Sequence, residues 1–383
     1  MDLTTTEYTI EMRRFFHENP ELSFKEVKTQ EKIISELKAM GLNPVKIAET
    51  GVYADIMGEF PGRTVAVRAD IDALPVKENN GKEYRSKNEG VMHACGHDAH
   101  TAMVLGLAKL MISENRNFPG KIRVFFQPAE EAPPGGAVKM IEEGLLEGVD
   151  FVIGQHVDSQ LPAGYIGYRA GPISANSDTF FITIKGKGGH GSRPEGGLDA
   201  IYAASLFVTS LQAIRSRILP QTSPAAITVG TINGGYRHNV IADNVELSGT
   251  VRTVSEEERK SAEVRIKSLL DGIVSFLGIS YEYKFEYGYP VMTNDPEITS
   301  IVREEARKIV GENRVKETSQ MLGGEDFGYY LQKRKGAFYR LGIANKKKGI
   351  VASNHSPEFD IDEEALGTGV EVLSSITRRL LNR

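Results

Sequence analysis

An α/β protein is predicted, built on a mixed, mostly parallel sheet with helices on both faces and carrying an inserted ferredoxin-like α+β domain. Three observations predict it. Short β-branched apolar runs alternate with helical stretches at both ends of the chain, those runs are too apolar to have a wet face, and the middle changes to the order β-α-β-β-α-β. The first part opens with two helices, over residues 6–16 and 24–40, because apolar residues recur there at helical spacing; Ile33, Ile34, Leu37 and Met40 share a stripe that stops at Gly41. Strands at 64–67, 122–126 and 151–153 then alternate with helices at 97–113 and 137–144. After Gly171 the pattern changes. A strand at 180–185, a helix at 198–218, strands at 226–232 and 245–254, a helix at 256–277 and a strand at 279–286 form the ferredoxin-like unit, with Asn233-Gly234-Gly235 as turn chemistry between its middle strands. A helix at 296–310, a strand at 338–341 and a helix from Glu363 resume the first pattern. The chain therefore divides into a domain of residues 1–178 and 290–383, interrupted by a second domain at 179–289.

Composition narrows the function classes. The chain has 383 residues, 40% of them apolar and 25% charged, as in an ordinary globular protein of two or three domains. Its formal charge of −5 provides no basic field to hold phosphate backbones or anionic lipid, so neither nucleic acid nor a membrane surface is an expected partner. No run approaches the roughly 18 apolar residues of a spanning helix, and the first residues lack the basic and apolar regions of a leader, which sets a cytoplasmic expectation. With one cysteine, no intramolecular disulfide can form.

That cysteine lies in Met92-His93-Ala94-Cys95-Gly96-His97-Asp98-Ala99-His100, among three of the eight histidines. Thiolate beside imidazole suits zinc and other transition metals, and an inert core cysteine leaves the neighbouring histidines as coincidence. Cys95 and His97 can reach one ion only if the backbone is irregular, which Gly96 permits. Apparent strands also run into Arg68-Ala69-Asp70-Ile71-Asp72, Gln127-Pro128-Ala129-Glu130-Glu131, Gly154-Gln155-His156 and, through a loop, Asn354-His355-Ser356. Polar residues of this kind at the carboxyl ends of strands are where an open α/β sheet builds its site. In an extended segment Glu130 and Glu131 point to opposite sides, so one can bind metal while the other faces water; the residues alone do not say which. Asp70 and Asp72 suit a ligand and its orienting partner, or equally a polar strand end. His93 and His100 stay unassigned. In the inserted unit His190 sits in a glycine-rich loop, and Asn239 and Arg252 are candidate substrate contacts or structural residues in equal measure.

These segments, with His17-Glu18-Asn19-Pro20-Glu21-Leu22-Ser23, Gly188-Gly189-His190-Gly191 and Gly324-Glu325-Asp326-Phe327, resemble the peptidase family of aminoacylases, carboxypeptidases and amidohydrolases, nearly end to end. The resemblance implies a zinc-exopeptidase-like catalytic domain and an inserted domain that mediates dimerisation, giving a homodimer or homotetramer. It also implies two divalent ions per subunit (zinc, manganese, nickel or cobalt), held by Cys95, His97, Glu131, His156 and His355 with Cys95 bridging, and Glu130 as general base. His190 and Asn239 match positions that hold the substrate carbonyl or carboxylate. One departure is Asn239-Val240-Ile241-Ala242-Asp243, where the family's proline is replaced by Ala242. The implied reaction is hydrolysis of an amide in an N-acyl amino acid or short peptide with a free carboxylate, with carboxypeptidase or dipeptidase action as the alternative. Two rivals come from other classes: an amidase with Cys95 as nucleophile, and a metal-binding regulatory protein without turnover.

Overall fold

The computed structural model describes residues 3–383. The chain forms two compact units, the first made of Met1–Gly171, Thr293–Ser319 and Asp326–Arg383, the second of Pro172–Met292 and Gln320–Glu325. The second unit thus includes a short segment far down the chain that the boundaries 179–289 leave out. No local sequence signal separates those six residues from their neighbours.

In the first unit, an eight-stranded sheet has parallel strands at its centre: Pro119–Gln127, Phe60–Asp70, Phe151–Pro162 and Lys335–Ala344, in that spatial order. Buried on both faces, these strands are the apolar runs seen in the sequence. Val65, Val67, Ile122, Val124, Ile153 and Leu341 are all fully buried. Antiparallel strands Val45–Ile47 and Gly51–Met57 extend one edge; Ile166–Tyr168, antiparallel to Lys335–Ala344, and Val315–Glu317, parallel to Ile166–Tyr168, extend the other. The sequence reading passes over these four, which are short or follow turns and lack a long apolar run. Helix His97–Ser113 is buried nearly all round and packs against helices Leu3–Glu18 and Glu364–Leu381.

Strand Phe151–Pro162 is far longer than the expected 151–153, so His156 lies inside it rather than after it. The reason is pairing: Gln155, His156, Val157 and Asp158 continue the parallel ladder with Tyr339, Arg340, Leu341 and Gly342, which supports polar residues that apolar patterning would end on.

The second unit has a four-stranded antiparallel sheet in the spatial order Ala225–Gly234, Asn244–Thr253, Asp178–Lys185, Ser280–Glu286, with helices Ala200–Ala213 and Glu256–Leu277 packed on its apolar side. That order is the ferredoxin-like one. Helix Ala200–Ala213 gives way to a π-helical turn, Ile214–Ile218, within the expected 198–218 helix. The turn expected at Asn233-Gly234-Gly235 comes later, because Asn233 and Gly234 stay in the ladder opposite Glu246 and Val245. No helix among the described residues is long and apolar enough to cross a membrane.

Candidate metal centre

Segments distant in sequence meet at one end of the parallel strands. Asp70 ends its strand, Cys95 and His97 flank the start of a buried helix, Glu130 and Glu131 follow strand Pro119–Gln127, and His355 comes from the loop after Lys335–Ala344. Gly96 makes the Cys95–His97 pairing possible. It has φ +91°, and a Cβ there would lie 2.3 Å from Val157 Cγ2, so no other residue fits this turn without displacement.

Cys95 Sγ is 3.5 Å from His156 Nε2, and Glu131 Oε1 is 3.4 Å from His355 Nε2 and 3.8 Å from His97 Nε2. Donors sharing one tetrahedral ion at usual bond lengths stand about 3.4–3.8 Å apart. His97 Nε2 and Glu131 Oε1 are both buried without a hydrogen-bond partner. Orphaned buried groups are costly, and a divalent cation is the partner that satisfies a carboxylate oxygen and a ring lone pair together. The five expected ligands therefore fit a divalent metal.

The rings are held so that the right nitrogens face inward. His156 Nδ1 donates to the Val157 carbonyl at 2.7 Å, leaving Nε2 bare towards Cys95. His97 Nδ1 is 2.9 Å from the Asp72 carbonyl and 3.3 Å from Asp72 Oδ1, which keeps a proton there and makes Nε2 the nitrogen available to a metal. Asp72 Oδ2 accepts from the Glu131 N–H at 3.0 Å and the Ser23 hydroxyl at 2.7 Å, so one carboxylate sets both a ring and a loop. Asn354 Nδ2 donates to the Cys95 carbonyl at 3.2 Å, and the His355 N–H to Ala94 at 2.7 Å, fixing His355 despite its positive φ of 69°.

His100 has no lone pair to give. Its Nδ1 lies 2.5 Å from Asp70 Oδ1, and its Nε2 accepts the Val157 N–H at 2.9 Å. Asp70 Oδ2 is in turn taken by Arg68 Nη1 at 2.5 Å. His93 is fully buried with neither ring nitrogen bonded, and burial pushes its pKa down to about 4. Burial also opposes charge on His97, yet Asp70, Cys95 and Asp72 hold its pKa well above the ordinary histidine value, the mark of a site short of positive charge. Burial and Glu131 push the Cys95 thiol up to about 12, the reverse of what an activated nucleophile needs.

Glu130 and Glu131 diverge, although they lie in a bend after the strand and not in an extended segment. Glu131 faces the cysteine and histidines, whereas the buried Glu130 carboxylate comes within 4.8 Å of Asp326. Asp326 also receives Arg68 Nη2 at 3.0 Å and Gln127 Nε2 at 2.7 Å. Arg68 and Asp326 support the site without having been singled out in the sequence. The signal for Arg68 was present: a cation between Val67 and Ala69 in a strand buried on both faces must be paired. Asp326, 258 positions from Arg68, left only an acidic glycine-rich turn. A second buried group lies behind the helix start, where Arg13 Nε meets Asp98 Oδ2 at 3.0 Å and His17 Nδ1 the same oxygen at 2.7 Å.

His190, Asn239 and Arg252 belong to the second unit. His190 Nδ1 accepts from the Ser192 N–H at 3.2 Å and lies 2.8 Å from Ser192 Oγ, which leaves the proton on Nε2 as an exposed donor. The Asn239 carbonyl accepts from Gly191 at 2.9 Å, and Val240–Ile241 pairs with Gly189–His190, so a small ladder steadies the loop that lacks the family's proline. Arg252 Nη1 is turned to its own sheet, 2.5 Å from Thr250 Oγ1 and 3.3 Å from the Asp178 carbonyl.

A model of peptidase family M20/M25/M40 matches residues 66–379. The chain is 42% identical over 371 residues to thermostable carboxypeptidase 2 of Saccharolobus solfataricus, covering 95% of this chain and 93% of that one. It is 46% identical over 288 residues to the N-acyl-L-amino acid amidohydrolase of Geobacillus stearothermophilus, covering 75% and 78%. Its fold matches the crystal structure of a Bacillus subtilis dinuclear metal-binding peptidase of the M20 family with TM-score 0.88 at 35% identity, covering 100% of this chain and 99% of that one.

Proposed function

The chain belongs to peptidase family M20/M25/M40, and we propose that it is a dinuclear metal-dependent amidohydrolase acting on N-acyl amino acids or short peptides with a free carboxylate. One observation carries this reading. A thiol, three imidazoles and a carboxylate are gathered at spacings suited to metal, with a second buried carboxylate, that of the adjacent Glu130, not among those donors. In this reading Cys95, His97, Glu131, His156 and His355 would hold two divalent ions. Its donor set accepts zinc, manganese, nickel or cobalt.

When bound, the ions supply Lewis acidity, lowering the pKa of a water and polarising the scissile carbonyl. Glu130 takes the water proton and returns it to the leaving amine, a task for a buried carboxylate that is not itself a ligand. Asp72 keeps the Nε2 of His97 and the loop of Glu131 in place. His190, its donor fixed on Nε2 by Ser192, stabilises the oxyanion, and Asn239 holds the substrate's carbonyl or carboxylate; Arg252, turned to Thr250 and Asp178, keeps the structural role that the sequence also allowed.

Substrate class is tested by chelating the enzyme, refilling it with each of the four metals and assaying N-acetyl-L-cysteine, N-acetyl-L-methionine, N-benzoylglycine and unmodified dipeptides. Hydrolysis of the acylated compounds in the refilled enzyme, and none in the chelated one, is the expected result. Dipeptides cleaved in preference select the carboxypeptidase or dipeptidase alternative. No turnover on any compound points to a regulatory protein, and turnover that survives chelation but not iodoacetamide to a cysteine nucleophile.

The second unit carries the dimer contact in this reading. Its edge strand Ala225–Gly234 is open, Ile232 is 53% exposed, and an unpaired edge suits a second copy. Sedimentation at the mass of one chain would remove that part. The absence of paired cysteines agrees with a reducing compartment, and the cytoplasm is the compartment we propose.

A further inference from the structure

Between strand Pro119–Gln127 and the two glutamates, the backbone passes through Ala129, which has φ +51° although it is not glycine. A left-handed alanine persists only where its surroundings hold it. Two contacts do so: the Ala129 N–H donates to Glu26 Oε1 at 2.9 Å, and its carbonyl accepts from the Gly136 N–H at 3.1 Å. Glu26 comes from the start of helix Val27–Ala39, is fully buried, and accepts the Thr50 hydroxyl on Oε2 at 2.6 Å. Both its oxygens are thereby fixed. On the other side of Glu130, the Glu131 N–H is held by Asp72 at 3.0 Å. Glu130 is thus the residue between two amides that are each anchored to a buried carboxylate.

We propose that Glu26 is a positioning residue for proton transfer: by holding Ala129 in its left-handed conformation it aims the Glu130 carboxylate. The inference rests on Glu130 being the general base. A purely structural Glu26 would satisfy the Ala129 amide and the Thr50 hydroxyl, and its loss would lower stability without changing the rate of the folded enzyme.

The two roles separate in Glu26→Ala and Glu26→Gln, assayed with wild type and Glu130→Gln on the fastest compound of the panel above, each with metal content measured. In Glu26→Gln the amide oxygen still accepts from Ala129 while its NH2 donates to Thr50 Oγ1. A group aimed wrongly by an ångström costs up to about 100-fold in rate, so kcat of Glu26→Ala is expected to fall about 10- to 100-fold. KM stays within about twofold and Glu26→Gln within about threefold of wild type, since substrate binding and the Ala129 bond are untouched. If the alanine variant does not fold, Glu26→Met fills the same volume without an acceptor and carries the same expectation. Wild-type kcat in the metal-loaded Ala or Met variant overturns the proposal; so does a Gln variant as slow as Ala, which would make the charge rather than the bond the cause. Full turnover in Glu130→Gln overturns the base assignment itself, whereas an inactive Glu130→Gln beside a fully active Glu26→Ala removes the positioning role alone.

Discussion

Glu130→Gln is expected to lower kcat by about 10²- to 10⁴-fold, the range that a general acid–base group contributes. Its metal content should equal that of wild type, because Glu130 faces Asp326 while Glu131 faces His97 and His355. KM should change little, since the amide keeps the size of the acid and substrate binding does not depend on the proton. Glu131→Gln should behave differently. It removes an anionic donor from the cluster, so activity and metal fall together. If Glu130→Gln lost its metal while Glu131→Gln kept it, the two roles would have to be exchanged, a choice the adjacent residues left open in sequence.

The second large effect is expected from Cys95→Ala. Burial holds this thiol neutral, with a pKa of about 12, so in the absence of a cation its removal costs the fold only a small packing loss. With metal the outcome reverses. A ligand that binds only the folded state stabilises it by about 2.7 kcal/mol at 100 times its dissociation constant and about 4.1 at 1,000 times. Wild type should therefore melt at a clearly higher temperature after metal is restored, and Cys95→Ala should lose most of that rise along with turnover. Equal stabilisation of the two proteins by metal would place the ions elsewhere.

Much of this arrangement was legible in the sequence, for physical reasons that can be named. Central strands buried on both faces must be apolar, so Thr64 to Val67 and Ile122 to Phe126 announced themselves. The helix from His97 to Ser113 follows a glycine that ends the preceding turn, and its bounds could be read directly. Strand Gly51–Met57 escaped because its buried Val52, Ala54 and Ile56 alternate with half-buried Tyr53 and Asp55 and so form no continuous apolar run. The extension of Phe151–Pro162 past His156 escaped because it depends on pairing with a strand nearly 200 positions away, which no local pattern contains. At the site, the ligand types were visible as clusters of Cys, His and Glu. Their supports were less so: Asp326 beneath Gln127 and Arg68, and Glu26 beneath Ala129, are single acidic residues whose partners come from other segments. Such residues look like ordinary surface charge until burial is known.

Central to all of this is the convergence of Cys95, His97, Glu131, His156 and His355 on paired cations. Anomalous diffraction from crystals of the metal-refilled protein, together with elemental analysis of the same sample, tests it most directly. Two anomalous peaks per chain are predicted, both within bonding distance of Cys95 Sγ, with His97, His156, Glu131 and His355 completing their shells. A single peak, or peaks that leave Cys95 and His156 without metal, would contradict the account.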